Sequence, residues 1–156
     1  MLSKESLDQV KREVAKYPSE RKASAVMATL RIAQEEHGWL SVPLMDYVAE
    51  LLGMRPIQVY EVASFYSMYD LKPVGRHKIS VCTNISCMLC GSDAIVKHLE
   101  QRLGVKFGQT TADKKFTLKE VECLAACGGA PMFQIDKNYY ENLTPEKIDR
   151  ILEGLK

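Results

Sequence analysis

The chain has 156 residues, 46% of them hydrophobic, and its 21 basic and 20 acidic residues leave a formal net charge of +1. Such a length and composition indicate a globular protein with one ordinary domain or two small units. Charges of both signs are interspersed, which argues against the basic patches of nucleic-acid-binding proteins, and no run approaches the roughly 18 apolar residues that span a bilayer.

The N-terminal half contains no cysteine and is predicted to form a small bundle of four short helices. Apolar residues at helical spacing predict one helix over 7–14 and a second that begins with Ser19 as its N-cap and ends near Gly38. A third is predicted over 41–53, and Pro56 fits the first turn of a fourth. Helices this short are unstable alone, so we expect the bundle to pack on something.

The pattern changes after a turn-like segment, 72–75 (KPVG), and we predict a boundary there between two units, 1–74 and 75–156. Residues 77–81 then alternate as a strand, which delivers Cys82 at its C-terminal end. The first unit is therefore expected to be helical, and the second to combine a sheet with helices.

Four further elements are predicted in the second unit. A helix runs from about Gly91 to Gly104, and 116–121 forms a second strand. A hairpin is predicted over 132–140, and a final helix begins with Thr144 as its N-cap. The two cysteine loops emerge where strands end, an arrangement similar to a thioredoxin-like sheet with a metal site at one edge.

All five cysteines lie between Cys82 and Cys127, and four form two separated pairs, Cys82-x4-Cys87 and Cys123-x3-Cys127. Two pairs on two loops can supply four thiolates to one compact metal centre, a ligand set that suits zinc or an iron-sulfur cluster. An odd number of cysteines without a secretory signal argues against a disulfide framework, so the expected compartment is the reducing cytoplasm.

Several kinds of cysteine site remain open on spacing alone: a [2Fe-2S] cluster, a four-cysteine zinc site, a redox disulfide, or ordinary buried cysteines. Segment 128–131 (GGAP), directly after Cys127, fits a cluster whose sulfurs are approached by backbone amides. Covalent haem is excluded because there is no C-x-x-C-H motif. A Rieske centre needs two histidine ligands, and none of the three histidines lies in a fitting pattern: His37, His77 and His98.

Cys90 complicates the choice of ligands. The spacing Cys82-x4-Cys87-x2-Cys90 reproduces the start of the plant-type ferredoxin pattern, so Cys90 is a possible ligand on spacing alone. Cys123 and Cys127 would then compete for one vacancy, whereas two pairs give each iron two thiolates. Cys87-x2-Cys90 also has the spacing of a redox dithiol, but that role leaves the other cysteines unexplained.

Longer stretches of the chain resemble one known family. They are 55–69 (RPIQVYEVASFYSMY), 71–82 (LKPVGRHKISVC), 116–131 (FTLKEVECLAACGGAP) and 138–145 (NYYENLTP). These segments closely resemble the thioredoxin-like [2Fe-2S] subunit of respiratory complex I, which is the E subunit of bacterial NADH:quinone oxidoreductase. The resemblance extends from about Ser24 to the C-terminus.

The resemblance implies that the four paired cysteines hold one [2Fe-2S] cluster: Cys82, Cys87, Cys123 and Cys127. It implies an N-terminal helical bundle for docking, followed by a thioredoxin-like [2Fe-2S] ferredoxin domain. It also implies a flavin-bearing F subunit as the partner, which binds NADH and FMN and exchanges single electrons with this cluster. The chain has no G-x-G-x-x-G fingerprint, so we do not expect it to bind the dinucleotide alone. It is expected to be an oxidoreductase subunit, peripheral to the cytoplasmic face of the inner membrane.

Two residues depart from the family pattern. Cys90 stands where the family often has arginine, and Ala125 stands where the family often has glycine, so the second cysteine loop loses some backbone freedom. Three aromatic residues, Phe65, Tyr66 and Tyr69, are either core residues or anchors for a partner subunit.

Other functions remain compatible with the sequence. A related subunit of an NAD-linked hydrogenase or formate dehydrogenase would keep the chemistry and change the complex. A zinc-stabilised interaction module would be redox-silent, and a thiol-disulfide oxidoreductase would depend on Cys87 and Cys90.

Overall fold

The computed structural model describes residues 1–155 of the chain, which divides into two compact units, Met1–Pro73 and a second that begins at Val74. The division falls within the turn-like segment 72–75. The roles that we predict for the units, docking for the first and cluster binding for the second, stay predictions. None of the helices formed by residues 1–155 has the length and apolar character needed to cross a membrane.

The first unit is entirely helical. Its elements are α1 (Lys4–Val14), a 3₁₀ helix (Ser19–Ala25), α2 (Val26–His37), α3 (Val42–Leu52) and α4 (Pro56–Phe65). Local signals set several of the ends: the Ser3 side chain caps α1 by accepting a hydrogen bond from the Ser6 N–H, and Gly38 and Gly53 end α2 and α3 in the left-handed conformation. The apolar faces of the helices meet in one core.

The second predicted helix is shorter than expected. Residues Ser19–Ala25 form a 3₁₀ helix, and α2 begins only at Val26. Arg21 leaves the helical conformation, with φ of −116°, and the Ser19 hydroxyl donates to the Glu20 carboxylate instead of capping the helix. The cap predicted at Ser19 was therefore wrong, because the side chain found another hydrogen-bond partner.

The structure distinguishes the three aromatic residues whose roles the sequence left undecided, Phe65, Tyr66 and Tyr69. Tyr69 is 5% exposed and its hydroxyl donates to the Met27 carbonyl at 2.9 Å, so it is a core residue. Phe65 is 80% exposed and touches Tyr66 edge to face, with ring centroids 5.0 Å apart. Phe65 and, to a smaller extent, Tyr66, which is 37% exposed, remain available to a partner.

The second unit contains a four-stranded mixed sheet with three helices. Its elements are β1 (His77–Cys82), α5 (Ile85–Leu89), α6 (Ser92–Leu103), β2 (Phe116–Val121), β3 (Phe133–Ile135), β4 (Asn138–Tyr140) and α7 (Pro145–Gly154). The strand order is β2-β1-β3-β4, with β1 parallel to β2, and with β3 antiparallel to both β1 and β4. The predicted combination of a helical part followed by a sheet with helices is confirmed.

The core of the second unit is formed by strand residues that alternate with more exposed ones. Ile79 and Val81 of β1 are fully buried, and they pack in one cluster with Ile95 and Leu99 of α6 and with Ile148 of α7. The α7 helix begins where predicted, since the Thr144 hydroxyl accepts a hydrogen bond from the Lys147 N–H at 3.3 Å.

Gly75 marks the place where the chain enters the sheet. A Cβ atom at this position would lie 2.8 Å from the carbonyl carbon of Phe116, closer than real Cβ atoms approach. The Gly75 N–H donates to the Thr117 hydroxyl at 2.6 Å, which ties the chain to β2. A glycine is needed here because two backbone segments pass too close for a side chain.

Candidate metal centre

Parallel pairing of β1 and β2 brings the two cysteine loops to the same end of the sheet. Cys82 is the last residue of β1 and pairs with Val121, the last residue of β2, and Cys123 follows two positions later. Since neighbouring parallel strands end at one edge, both loops start side by side. Because the two loops start side by side, the two cysteine pairs of the sequence can contribute to one candidate site.

The first loop contains a short helix that the sequence did not predict. The five residues Ile85–Leu89 form α5, which follows Asn84 in an extended conformation. Cys87 lies on the buried side of α5, and it packs with Cys82 and Met132. Backbone hydrogen bonding also joins Cys82 to this cluster, because its N–H donates to the Met132 carbonyl at 3.3 Å.

The second loop is more open and contains a left-handed residue. Cys123 and Cys127 are exposed, and Cys127 begins a 3₁₀ turn that ends at Gly129. Ala125 adopts a φ of 57°, and its N–H donates to the Cys123 sulfur at 3.3 Å. The backbone therefore turns sharply between the two cysteines and directs an amide at one of their sulfurs.

Segment 128–131 has a packing role in addition to the one predicted for it. A Cβ atom on Gly129 would lie 2.5 Å from the Glu141 side chain, and the Gly129 carbonyl accepts a hydrogen bond from the Asn142 N–H at 2.6 Å. The Ala130–Pro131 peptide bond is cis. The approach of backbone amides of this segment to the cluster sulfurs stays a prediction.

The electrostatic environment of Cys87 disfavours a free thiolate. Burial, together with the neighbouring Cys82 and Cys127 thiols, raises the pKa of the Cys87 thiol to about 11, and a hydrogen bond from the Met132 backbone opposes this rise in part. Cys82 and Cys127 therefore lie close enough to Cys87 to influence its pKa. Without bound metal Cys87 is a neutral thiol at neutral pH, whereas a coordinated thiol is deprotonated by the charge of the metal ion.

The donor set suits a two-iron cluster. Within residues 1–155, the structure shows no group of three histidine, cysteine or carboxylate side chains already arranged to hold a metal ion. In a [2Fe-2S] cluster each iron needs only two thiolates, because bridging sulfides complete its coordination. Two cysteine pairs from two adjacent loops meet that requirement. The choice of these four cysteines as ligands stays a prediction.

The remaining candidate residues are exposed, as Cys90 is, or have carboxylate partners, as the histidines do. Cys90 is exposed and ends α5, where its N–H donates to the Ser86 carbonyl at 3.2 Å. Each histidine lies close to a carboxylate: His37 to Glu36 at 3.7 Å, His77 to Asp136 at 2.8 Å and His98 to Asp149 at 3.0 Å. The histidines therefore have partners within the protein fold.

An exposed apolar surface on α5 was missed in the sequence. It consists of Ile85, Met88 and Leu89, which are 63%, 46% and 79% exposed, and we call it the α5 surface. The available signal was the run of apolar residues on both sides of Cys87, which a loop prediction does not explain. Exposed apolar groups beside a candidate site commonly mark a contact with another protein.

Comparison with known proteins supports the resemblance seen in the sequence. The chain is 48% identical over 154 residues to the E subunit of NADH-quinone oxidoreductase from Rickettsia conorii, which covers 98% of this chain and 92% of that protein. It is 44% identical over 149 residues to the E 2 subunit of NADH-quinone oxidoreductase from Rhizobium meliloti, which covers 96% of this chain and 88% of that protein.

A solved structure supports the fold. The air-oxidized NAD+-reducing [NiFe]-hydrogenase aligns with a TM-score of 0.73 at 20% identity, over 89% of this chain and 24% of that chain. Residues 10–156 match the family described as thioredoxin-like [2Fe-2S] ferredoxin. The predicted family and fold class are thus confirmed, and the chain belongs to the thioredoxin-like [2Fe-2S] ferredoxin family.

Proposed function

We propose that this chain is the electron-transferring [2Fe-2S] subunit of an NADH:quinone oxidoreductase. One observation carries the proposal: two loops that each carry a cysteine pair start at one end of the sheet, in a chain that is 48% identical, over nearly its whole length, to the E subunit of such an enzyme. When bound, such a cluster supplies a one-electron redox centre. As the match covers 98% of the chain, the function applies to both units and not only to the second.

We further propose Cys82, Cys87, Cys123 and Cys127 as the ligands. Cys82 and Cys87 are buried, so they hold their side of the cluster away from water. The Ala125 N–H, already 3.3 Å from the Cys123 sulfur, can stabilise a thiolate at that position by hydrogen bonding. Exposure of Cys123 and Cys127 leaves this side of the site open to an approaching redox partner.

The proposed partner is a flavin-bearing F subunit that binds NADH and FMN. This chain lacks the G-x-G-x-x-G fingerprint of dinucleotide-binding proteins, so NADH oxidation is assigned to the partner. Each unit exposes an apolar region that can contribute to docking: Phe65 in the first and the α5 surface in the second. In the assembled enzyme the subunit is proposed to be peripheral, on the cytoplasmic face of the membrane.

Metal analysis of anaerobically purified full-length protein tests the proposal. We expect two irons and two acid-labile sulfides per chain, a visible absorption spectrum, and a rhombic electron paramagnetic resonance (EPR) signal after reduction. Stoichiometric zinc in a colourless protein after attempted reconstitution would instead support the zinc-stabilised module.

Two matched cysteine variants test the ligand set. Cys127→Ser should lose the cluster or bind it poorly, whereas Cys90→Ser should retain iron and sulfide at the level of the unmodified chain. Both positions are exposed, so the same change is made in a similar environment. An unaltered cluster in Cys127→Ser would refute the assignment by pairs, and loss of the cluster in Cys90→Ser would make Cys90 a ligand.

A further inference from the structure

Ser92 carries a buried hydroxyl group that lacks a partner. Its side chain is 1% exposed, and its Oγ is the only buried side-chain polar atom without a hydrogen bond among residues 1–155. Buried hydroxyl groups are nearly always hydrogen-bonded, because leaving one unpaired forfeits its interaction with water. Within residues 1–155, the Ser92 hydroxyl is therefore able to donate to an acceptor from outside the polypeptide.

The fold places Ser92 at the end of the sheet that carries the candidate site. Ser92 is the first residue of α6, and it shares one helix face with Ile95 and Leu99, which pack into the sheet core. Because α6 connects two parallel strands, it starts beyond the carboxyl end of β1, where Cys82 lies. Only four residues separate Ser92 from Cys87 along the chain.

The start of α6 is also suited to negative charge. Its N-cap is Gly91, which provides no side-chain cap, and the Gly91 carbonyl accepts the N–H groups of Ala94 and Ile95. The N–H groups of Ser92 and Asp93 have no acceptor within the helix, as is general for a first turn. The exposed Asp93 side chain is the acidic group of this turn, while the buried side of the turn carries the neutral Ser92 hydroxyl.

We propose that the Ser92 hydroxyl donates a hydrogen bond to a sulfur atom of the [2Fe-2S] cluster, on the side held by Cys82 and Cys87. This inference rests on the proposed function, and it adds a residue that tunes the centre without ligating iron. A hydrogen bond to sulfur stabilises added negative charge, so Ser92 favours the reduced form and raises the reduction potential. The positive end of α6 acts in the same direction.

Replacement of the hydroxyl group in the full-length, iron-loaded chain tests the proposal. Redox titration of Ser92→Ala should show the ratio of reduced to oxidised protein falling about tenfold at a fixed potential, which is a shift of about 59 mV for a one-electron couple. Ser92→Thr retains the hydroxyl and should titrate close to the unmodified chain. Ser92→Val has nearly the same shape as Ser92→Thr without the hydroxyl, and it should follow the alanine variant.

A spectroscopic measurement and a control complete the design. Pulsed EPR after exchange into deuterated water should detect an exchangeable proton coupled to the centre, and this coupling should disappear in Ser92→Ala and Ser92→Val. The control is Thr29→Val in the first unit, which removes a buried hydroxyl whose acceptor is the Ala25 carbonyl. Thr29→Val should leave both the potential and the coupling unchanged.

The outcomes separate this inference from the proposed function. Unchanged potential and coupling in Ser92→Ala, at full iron and sulfide content, would refute the role of Ser92 and leave the function standing. Equal shifts in the threonine and valine variants would assign the effect to packing and also refute it. If Ser92→Ala loses iron, the threonine and valine pair carries the comparison. An unmodified chain without iron and sulfide would refute the proposed function, and the role of Ser92 with it.

Discussion

Replacing Ala125 with glycine should stabilise the second unit, because Ala125 adopts the left-handed conformation between two proposed ligands. Its φ is 57°, a region that L-residues with a Cβ atom enter at a cost of about 1–2 kcal/mol. Glycine removes that cost but loses roughly 0.5–1 kcal/mol more conformational entropy on folding. The expected net gain in the free energy of unfolding is about 0.5–1 kcal/mol, with the hydrogen bond from residue 125 to Cys123 kept, since it involves the backbone.

Thermal unfolding of the iron-loaded chain measures this effect. For a unit of this size, a gain of about 0.5–1 kcal/mol corresponds to a rise of about 2–8 °C in the unfolding midpoint. The midpoint is followed by circular dichroism under anaerobic conditions at one heating rate for all variants. A single rate is used because the midpoint of an irreversible transition, such as one in which iron is lost, depends on the heating rate.

The neighbouring Ala126 supplies the matched control. Its φ is −115°, which an alanine adopts without strain, and its side chain packs against the cluster of Cys82, Cys87 and Met132. Ala126→Gly should therefore lower the midpoint, since it loses packing and gains unfolded-state entropy. If Ala125→Gly lowers the midpoint as Ala126→Gly does, the strain attributed to Ala125 is not a significant cost.

Three further results are expected. In the iron-free chain at pH 8, iodoacetamide should label the exposed Cys90 well before Cys87, because the Cys87 pKa of about 11 leaves only about one Cys87 thiol in a thousand as thiolate. Labelling of Cys87 should accelerate as the pH approaches 11. Equal labelling rates for the two cysteines at pH 8 would contradict the burial of Cys87. Gly75→Ala should lower the free energy of unfolding by about 1–3 kcal/mol, because its Cβ would overlap the backbone of β2. An unchanged denaturation midpoint would show that the segment at residue 75 can move away from β2 at little cost. Phe65→Ser should change the free energy of unfolding by less than about 0.5 kcal/mol, yet it should reduce co-purification of the flavin-bearing partner. Tyr69→Phe should lower the free energy of unfolding by about 1 kcal/mol and leave co-purification intact. The reverse pattern would show that Phe65 is not part of the docking surface.

Much of the secondary structure could be predicted because its signals are local. Gly38, Gly53 and Gly104 end their helices in the left-handed conformation, and Thr144 caps α7 with its hydroxyl. These residues act through their own backbone preferences or through neighbours one turn away, so the sequence pattern contains the whole interaction. The helix cap predicted at Ser19 was wrong because an equally local interaction replaced it: the Ser19 hydroxyl donates to the neighbouring Glu20 carboxylate.

The candidate site could be predicted only in part. Cysteine spacing identified two pairs and left the role of Cys90 open, and the family resemblance supplied the preferred ligand set. Neither source indicated that Cys87 lies on a short helix, whereas the glycine that the family often has at position 125 agrees with the left-handed conformation of Ala125. The unpaired hydroxyl of Ser92 had no sequence signal either, because its burial results from the packing of α6 on the sheet.

The sequence by itself determined which residues can supply thiolates, where most helices and strands begin and end, and to which family the chain belongs. These properties depend on residue chemistry and on interactions within a few positions of the chain. The tertiary structure alone decided that Cys82 and Cys123 start from adjacent strands, that Cys87 is buried while Cys90 is exposed, and that Phe65 faces solvent. The placement of the cysteines depends on contacts between residues far apart in sequence, which form only when β1 pairs in parallel with β2 and the helices cover the sheet. The exposure of Phe65 depends on how the helices of the first unit pack on one another.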